Sequence, residues 1–261
     1  MLSREEMFRF VQTVLGVVDY DHEPVVRHVL GDDASAEASI PVENAVRAGL
    51  GRFLIDIVEK EPWRLTRYSE QLWLTYDKSP VLQKLLVRVQ RITGLPESVV
   101  NQSEDLQVLR YGPHGHYSCH HDMSPDTIDE GKDAPQIATV AIFLNDVTRG
   151  GEIAFPAANR DDIAPSELEK YWMLEEQCQP RKACTRLGGV VFSPKKGDAL
   201  LWYNIRPEFW NDLKRKETQR QGFGEQSLMW SSVHCGAEVI EGEKWMANMW
   251  IGLGPHGHEE L

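Results

Sequence analysis

The sequence predicts an α+β protein, a double-stranded β-helix (jelly-roll) barrel with supporting N-terminal helices. Two observations carry this. From Leu106 onward, apolar residues fall in short alternating runs punctuated by glycine and proline, as strands require. Before about residue 100 they recur every three to four positions, the period of an amphipathic helix. The length, 261 residues, suits one large domain with an extension. We therefore expect a mainly helical region over residues 1–100 packed on a barrel domain over residues 101–255, with a tail over 256–261.

Phe8, Val11, Val14 and Leu15 mark a first helical face. Asp19, Asp21 and Glu23 superficially suggest a calcium loop. Pro24, however, stands where that loop needs glycine, and Leu30 where it needs a bidentate acid, so no EF-hand is expected. The stretch from Asp32 to Ser39 reads as a loop. Phe53, Ile55, Ile57 and Val58 form a second apolar stretch. A third, from Val81 to Ile92, follows Ser79 and Pro80, an N-cap residue and the helix position where proline's missing N–H is harmless.

The expected strands are Leu106–Tyr111, His116–Asp122, Gln136–Leu144, Glu152–Phe155, Gly189–Ser193, Asp198–Tyr203, Leu228–His234 and Lys244–Leu253, a number that fits a jelly roll. The charged stretch from Pro156 to Leu187, helical over Ser166–Gln177, reads as an insertion at the barrel mouth, and Pro207 to Gln226 as a second loop. Gly150 and Gly151 read as a tight turn, since no phosphate-binding glycine pattern follows.

Lysine and arginine number 28 against 40 acidic residues, a formal charge of −12. Sequence-independent binding to nucleic acid needs clustered basic side chains and is excluded as a main activity. The same charge weighs against docking on an anionic membrane. The longest apolar runs, such as Ile137–Leu144, are too short to span a bilayer, so no transmembrane segment is expected in this chain. The four cysteines include no CxxC pair, which excludes a zinc ribbon. Cys178 and Cys184 close a short loop and are either a disulfide or two ordinary thiols. Cys119 and Cys235 read as packing residues that alternation turns away from their histidine neighbours.

Two features point to the lumen of the endoplasmic reticulum. His258-Glu259-Glu260-Leu261 is similar to the retrieval address read at a free C-terminus, and Asn101-Gln102-Ser103 is a glycosylation sequon. Met1 to Leu15 has no apolar signal core, so a signal or anchor segment is expected in place of Met1 in the natural chain.

Four of the nine histidines lie between His114 and His121. On a strand, His120 and Asp122 share a face and His121 takes the other. An HxD pair with one distant histidine is the ligand set of non-haem iron(II), and His234 can supply the third group. The bare pattern is met equally by a surface histidine cluster. The neighbourhood of Lys244 adds weight. Alternation places Lys244, Met246, Asn248 and Trp250 on one strand face. An ammonium inside an apolar barrel is costly unless an anion pairs with it. A dicarboxylate such as 2-oxoglutarate is such an anion, and Tyr111 and Thr139 offer hydroxyls to the same group.

The segments "LQVLRYGPHGHYSCHHD", "ATVAIFLNDVTRGGEIAFP", "PKKGDALLWYN" and "HCGAEVIEGEKWMANMWI", with "RYSEQLWL" upstream, resemble the prolyl 4-hydroxylases that depend on iron(II) and 2-oxoglutarate. The likeness covers about residues 65–253 and is strongest to the transmembrane type of the endoplasmic reticulum. It implies that His120, Asp122 and His234 bind iron and that Lys244 receives the distal carboxylate of 2-oxoglutarate, with Tyr111 and Thr139 beside it. Tyr117 and Trp250 match positions that line the peptide site. The implied reaction consumes dioxygen and 2-oxoglutarate, hydroxylates a prolyl residue of a peptide or protein, and releases succinate and carbon dioxide, with ascorbate as reductant. Gln136 stands where the family often has a substrate-binding arginine, and Phe143 replaces a common tyrosine. Lysyl hydroxylases, a close alternative, usually carry arginine where Lys244 stands. A non-catalytic metal- or peptide-binding barrel would be expected to have lost a ligand or this lysine. A zinc hydrolase would have no use for Lys244. Trp202, Trp245 and Trp250 read individually as core residues.

Overall fold

The computed structural model describes residues 39–60, 65–123, 136–160, 188–209 and 227–252, together with 2–3, 6, 29, 163–164 and 166–168. Several expectations lie outside these: the Phe8–Leu15 face, residues 32–38, most of the two long loops, Cys178, Cys184 and the 258–261 tail.

The chain begins with β1 (Leu2–Ser3), paired with β2 (Ser39–Ile40). Helices α1 (Val42–Arg47) and α2 (Leu50–Lys60) follow. On α2, Asp56 takes ion pairs from Arg52 at 2.8 Å and Lys60 at 3.1 Å, one helical turn to either side. After β3 (Arg67–Tyr68) and β4 (Glu70–Leu74) comes α3 (Pro80–Thr93). Its start is the one expected: Ser79 Oγ accepts from the Val81 N–H at 3.2 Å, with Pro80 at the first position. It ends at Gly94, whose φ of 66° is the left-handed stop glycine adopts without strain. A short α4 (Glu97–Val100) leads into the strands.

These are β5 (Leu106–Tyr111), β6 (His116–His120), β7 (Gln136–Phe143), β8 (Arg149–Gly150), β9 (Ile153–Phe155), β10 (Val190–Phe192), β11 (Ala199–Tyr203), β12 (His234–Gly236), β13 (Val239–Glu241) and β14 (Lys244–Gly252). They form two five-stranded antiparallel sheets, ordered β10-β9-β12-β6-β3 and β11-β7-β14-β5-β4, and a small β13-β8 pair. The result is the expected α+β architecture of jelly-roll type.

Leu109, Tyr111, Ala141, Phe143 and Met246 of the second sheet pack on Ile153 of the first, with Tyr117, Phe155 and Phe192 against them. That contact makes the inner faces of the sheets one interior. On the outer face of the second sheet, Val140, Ala247, Met249 and Ile251 join Val89 of α3 in a larger cluster. Because both faces of β14 are covered, its sequence reads as nearly continuous apolar texture rather than clean alternation. No helix among the described residues is long and apolar enough to cross a membrane.

Two expectations need correction. β3 and β4 fall in the stretch read as mainly helical, yet each closes an edge of a main sheet. β4 is short and largely exposed, so it shows no buried–exposed alternation. Residues 228–234 are not a strand. A 3₁₀ turn occupies Trp230–Ser232, where the Ser232 N–H and hydroxyl both donate to the Met229 carbonyl, at 2.9 and 2.8 Å. A serine that bonds its own backbone competes with the ladder, and the strand begins only at His234.

Candidate metal centre and active site

β6 and β12 pair with His120 opposite His234, which brings two imidazoles from distant sequence to one place. Their ring centroids lie 4.3 Å apart. Asp122 follows two residues after His120. Its Oδ1 lies 3.4 Å from His120 Nε2 and 3.6 Å from His234 Nε2. One ligand atom from each residue falls within 4.8 Å of the others. Among the described residues this is the one cluster of three or more His, Cys, Asp or Glu able to hold a metal.

The other ring nitrogens fix the tautomers. His120 Nδ1 meets the Ser118 carbonyl at 2.8 Å, and His234 Nδ1 meets the Ser232 carbonyl at 3.0 Å. A carbonyl only accepts, so each Nδ1 carries the proton and each Nε2 presents a lone pair. Two lone pairs then face a carboxylate oxygen, and three acceptors converge without a donor. A cation is the group that reconciles them. Burial pushes His234 down to about 4, against the opposing pull of Asp122, so its ring is neutral near pH 7. Burial alone would raise Asp122. The neighbouring histidines, which act on it through their protonated rings at acid pH, and the hydrogen bond from Thr139 outweigh it and hold the carboxyl well below the ordinary range.

The outer oxygen of Asp122 is also fixed. Thr139 Oγ1 donates to Oδ2 at 2.6 Å and the Trp202 indole N–H at 3.2 Å. Asn204 Nδ2 in turn donates to Thr139 Oγ1 at 3.2 Å. The Thr139 hydroxyl thus engages Asp122 and orients its carboxylate. Trp202 is more than a core residue, its ring standing 4.6 Å from His234 and 5.4 Å from Phe155. Tyr117 stacks on His120 at 3.7 Å. His121 turns elsewhere, toward the carbonyls of Met123 and Met229 and the Ser232 hydroxyl.

Lys244 begins β14 directly opposite Tyr111 on β5, so the two share the inner face. It is 2% exposed. Nζ lies 5.5 Å from the centre of the Tyr111 ring and 5.7 Å from that of Phe143. Burial drags the ammonium down to about 7, and Glu152 compensates only in part. Gly151, at φ +70°, sits against the lysine stem, where a Cβ would meet Cδ at 3.4 Å. The Tyr111 phenol is pushed up by burial, an effect that Arg67 and Ser69 partly offset.

Arg67 was not anticipated. Its guanidinium lies 4.6 Å above the Tyr117 ring and donates to Ser69 Oγ at 3.0 Å and Gln107 Oε1 at 3.3 Å. It links the tyrosine beside the triad to the one beside Lys244. Trp250 stands opposite Thr139 on the same inner face, 5.5 Å from Trp73. Gln136 donates to Glu104 Oε1 at 2.5 Å. Cys119 and Cys235 do turn away from the imidazoles, but they are not two separate packing residues: they are joined in a disulfide. Sequence reading missed the pairing because it depends on the register between strands far apart in the chain.

A sequence model of the 2OG-Fe(II) oxygenase superfamily matches residues 106–252. The chain is 31% identical over 185 residues to probable prolyl 4-hydroxylase 4 of Arabidopsis thaliana, a match covering 71% of this chain and 52% of that protein. It is 33% identical over 208 residues to the transmembrane prolyl 4-hydroxylase of Mus musculus, covering 73% and 38%. A solved structure of the viral collagen prolyl hydroxylase of Paramecium bursaria Chlorella virus-1, in complex with 2OG, aligns with a TM-score of 0.46 and 21% identity over 76% of this chain and 87% of that one. The chain spans about half the length, or less, of these two curated relatives.

Proposed function

The chain belongs to the 2OG-Fe(II) oxygenase superfamily, and on that premise we propose that it is a prolyl 4-hydroxylase acting on a proline-containing peptide or protein. The observation that carries the proposal is the pairing of a His–Asp–His triad with a buried ammonium in one interior. His120 Nε2, Asp122 Oδ1 and His234 Nε2 would hold iron(II) on one face. Bound there, the metal supplies activation of dioxygen coupled to oxidation of 2-oxoglutarate to succinate and carbon dioxide, with transfer of a hydroxyl to the prolyl carbon.

Each residue has a part to play. Lys244 Nζ binds and orients the distal carboxylate of 2-oxoglutarate, with the Tyr111 phenol beside it. Thr139 and Trp202 hold Asp122 so that a single oxygen faces the metal, and Asn204 holds Thr139. Phe155, Trp202 and Tyr117 exclude water around the imidazoles. Tyr117 and Trp250 line the peptide site. Ascorbate is the proposed reductant for turnovers that leave the metal oxidised.

We place the enzyme in the lumen of the endoplasmic reticulum, with His258–Leu261 as the retrieval address. Asn101, exposed just after α4, is the proposed glycosylation site. Residues 1–100 are proposed as the region supporting the catalytic domain. The test is succinate release by the iron-loaded protein over a panel of proline-containing peptides, with mass-spectrometric detection of a 16 Da gain on proline. Peptide-dependent succinate with hydroxyproline supports the proposal. Hydroxylysine, or tight peptide binding without turnover, redirects it to the lysyl or the non-catalytic alternative.

A further inference from the structure

We infer that the Cys119–Cys235 cystine is a positioning device for the metal centre, a covalent tie between the two histidine-bearing strands on which metal affinity depends. The inference rests on reading His120, Asp122 and His234 as metal ligands. Each cysteine is the immediate neighbour of one of these histidines: Cys119 precedes His120, and Cys235 follows His234.

The ladder between β12 and β6 is short at this point. β12 has three residues, His234–Gly236. Its matched pairs with β6 are His234 opposite His120 and Gly236 opposite Tyr117, with a register shift between them. Over that interval β12 advances two residues (234 to 236) and β6 three (120 to 117), so β6 carries a bulge beside the ligand pair. A bulge leaves one residue unpaired and disrupts the ladder locally. On its other side, β12 meets β9 through Cys235 and Gly236, not through His234. Backbone pairing therefore holds the two ligands together through a single register contact, and the cystine spans the bulge next to it.

Its chemistry suits that part. Alternation puts the sulfurs on the opposite side of the ladder from the imidazoles, within the apolar cluster that includes Val233, Trp230 and Ala157, so they do not compete for the metal. Cys119 is 9% exposed and Cys235 fully buried, so the bond is sheltered from solvent in the folded chain. To form it, the two thiols give up two protons and two electrons to a disulfide donor, an oxidised protein dithiol that is itself reduced. The metal-competent chain is thus made where such donors operate.

The test uses Co(II) as the metal probe and the full chain. Binding is measured on oxidised wild type, on anaerobically reduced and desalted wild type, on the double variant Cys119→Ala/Cys235→Ala, and on Cys178→Ala/Cys184→Ala as control. The expected result is a Kd at least about tenfold weaker in the reduced protein and in the first double variant, with the control unchanged. Coupling is reciprocal, so Co(II) should also make the cystine harder to reduce. Each tenfold of coupling lowers its midpoint potential by about 30 mV. This second measurement needs only wild type and stands even if the double variant fails to fold. Equal Co(II) affinity in the oxidised and reduced protein with an unshifted midpoint, or alkylation mapping that finds two free thiols at Cys119 and Cys235, overturns the inference and leaves the ligand assignment intact. Oxidised wild type that takes up no Co(II) overturns both.

Discussion

At one end of the interior, Asp122 lies beneath two imidazoles with its outer oxygen held by Thr139 and Trp202. At the other, Lys244 stands among aromatic rings, with Glu152 as the charge that acts on it. Both groups are ionisable and both are buried, yet burial wins at one and loses at the other. Hydrogen bonds and neighbouring charge hold the Asp122 carboxyl well below its ordinary range despite desolvation. Nothing comparable rescues the ammonium, which falls to about 7. At the triad end the protein fixes three ligand atoms in place for a cation. The lysine end is left electrostatically incomplete, and in the proposed function a dicarboxylate would complete it.

The strongest way to break the contrast is to remove the preformed end. His120→Ala, Asp122→Ala and His234→Ala should each bring succinate release below detection and abolish Co(II) binding. Circular dichroism should stay native, because the packing between the sheets is apolar. His121→Ala should keep substantial activity, since its ring is engaged elsewhere. A dead His121→Ala beside an active His120→Ala would mean that the strand register is wrong by one residue.

A finer cut leaves the ligands and removes what orients them. Thr139→Val or Trp202→Phe should weaken Co(II) binding by about 10- to 100-fold, the usual cost of losing a partner behind a metal ligand. Thr139→Ser, which keeps the hydroxyl, should restore most of it. If Thr139 instead contacts 2-oxoglutarate, Thr139→Val will raise the Kd of that ligand and leave Co(II) affinity unchanged.

The lysine end predicts a pH dependence whose sign follows from the lowered value. Only the charged amine pairs with a carboxylate. With Lys244 at about 7 before the ligand arrives, its charged fraction drops about tenfold per unit above that pH. Binding of 2-oxoglutarate should therefore weaken about tenfold per pH unit through the alkaline range, with proton uptake in calorimetry. A flat profile would mean that Lys244 is already charged. The same imbalance predicts that Lys244→Met stabilises the ligand-free protein by about 1–4 kcal/mol, as replacing a poorly compensated buried charge often does. Thermal unfolding should show the midpoint rising by ~2–4 °C for each kcal/mol.

The sequence made the two ends legible to different degrees. The α3 cap was readable because Ser79 and Pro80 act within one turn of each other. The meeting of His120 with Asp122 was readable for the same local reason, and Lys244 stood out because an ammonium is conspicuous in an apolar strand. What escaped depends on partners distant in sequence. Whether Thr139 turns to a co-substrate or to Asp122 is decided across 17 residues, and the Trp202 hydrogen bond across 80. The Cys119–Cys235 bond spans a separation of 116 and depends on the register that sets His234 of β12 opposite His120 of β6. Arg67 was hidden in a stretch whose periodicity read as helical, on a strand of two residues that carries no period of its own.

In the proposed function Lys244 receives the distal carboxylate of 2-oxoglutarate while the triad holds the metal independently. The most direct measurement is a 2-oxoglutarate titration of wild type and Lys244→Ala at pH 7, each loaded with Co(II) and checked for metal content. A charge-assisted hydrogen bond contributes about 1.5–3 kcal/mol, and 1.4 kcal/mol is tenfold in affinity. Metal content should be equal, and the Kd for 2-oxoglutarate at least about tenfold weaker in the variant. Equal 2-oxoglutarate affinity in the two proteins would contradict it.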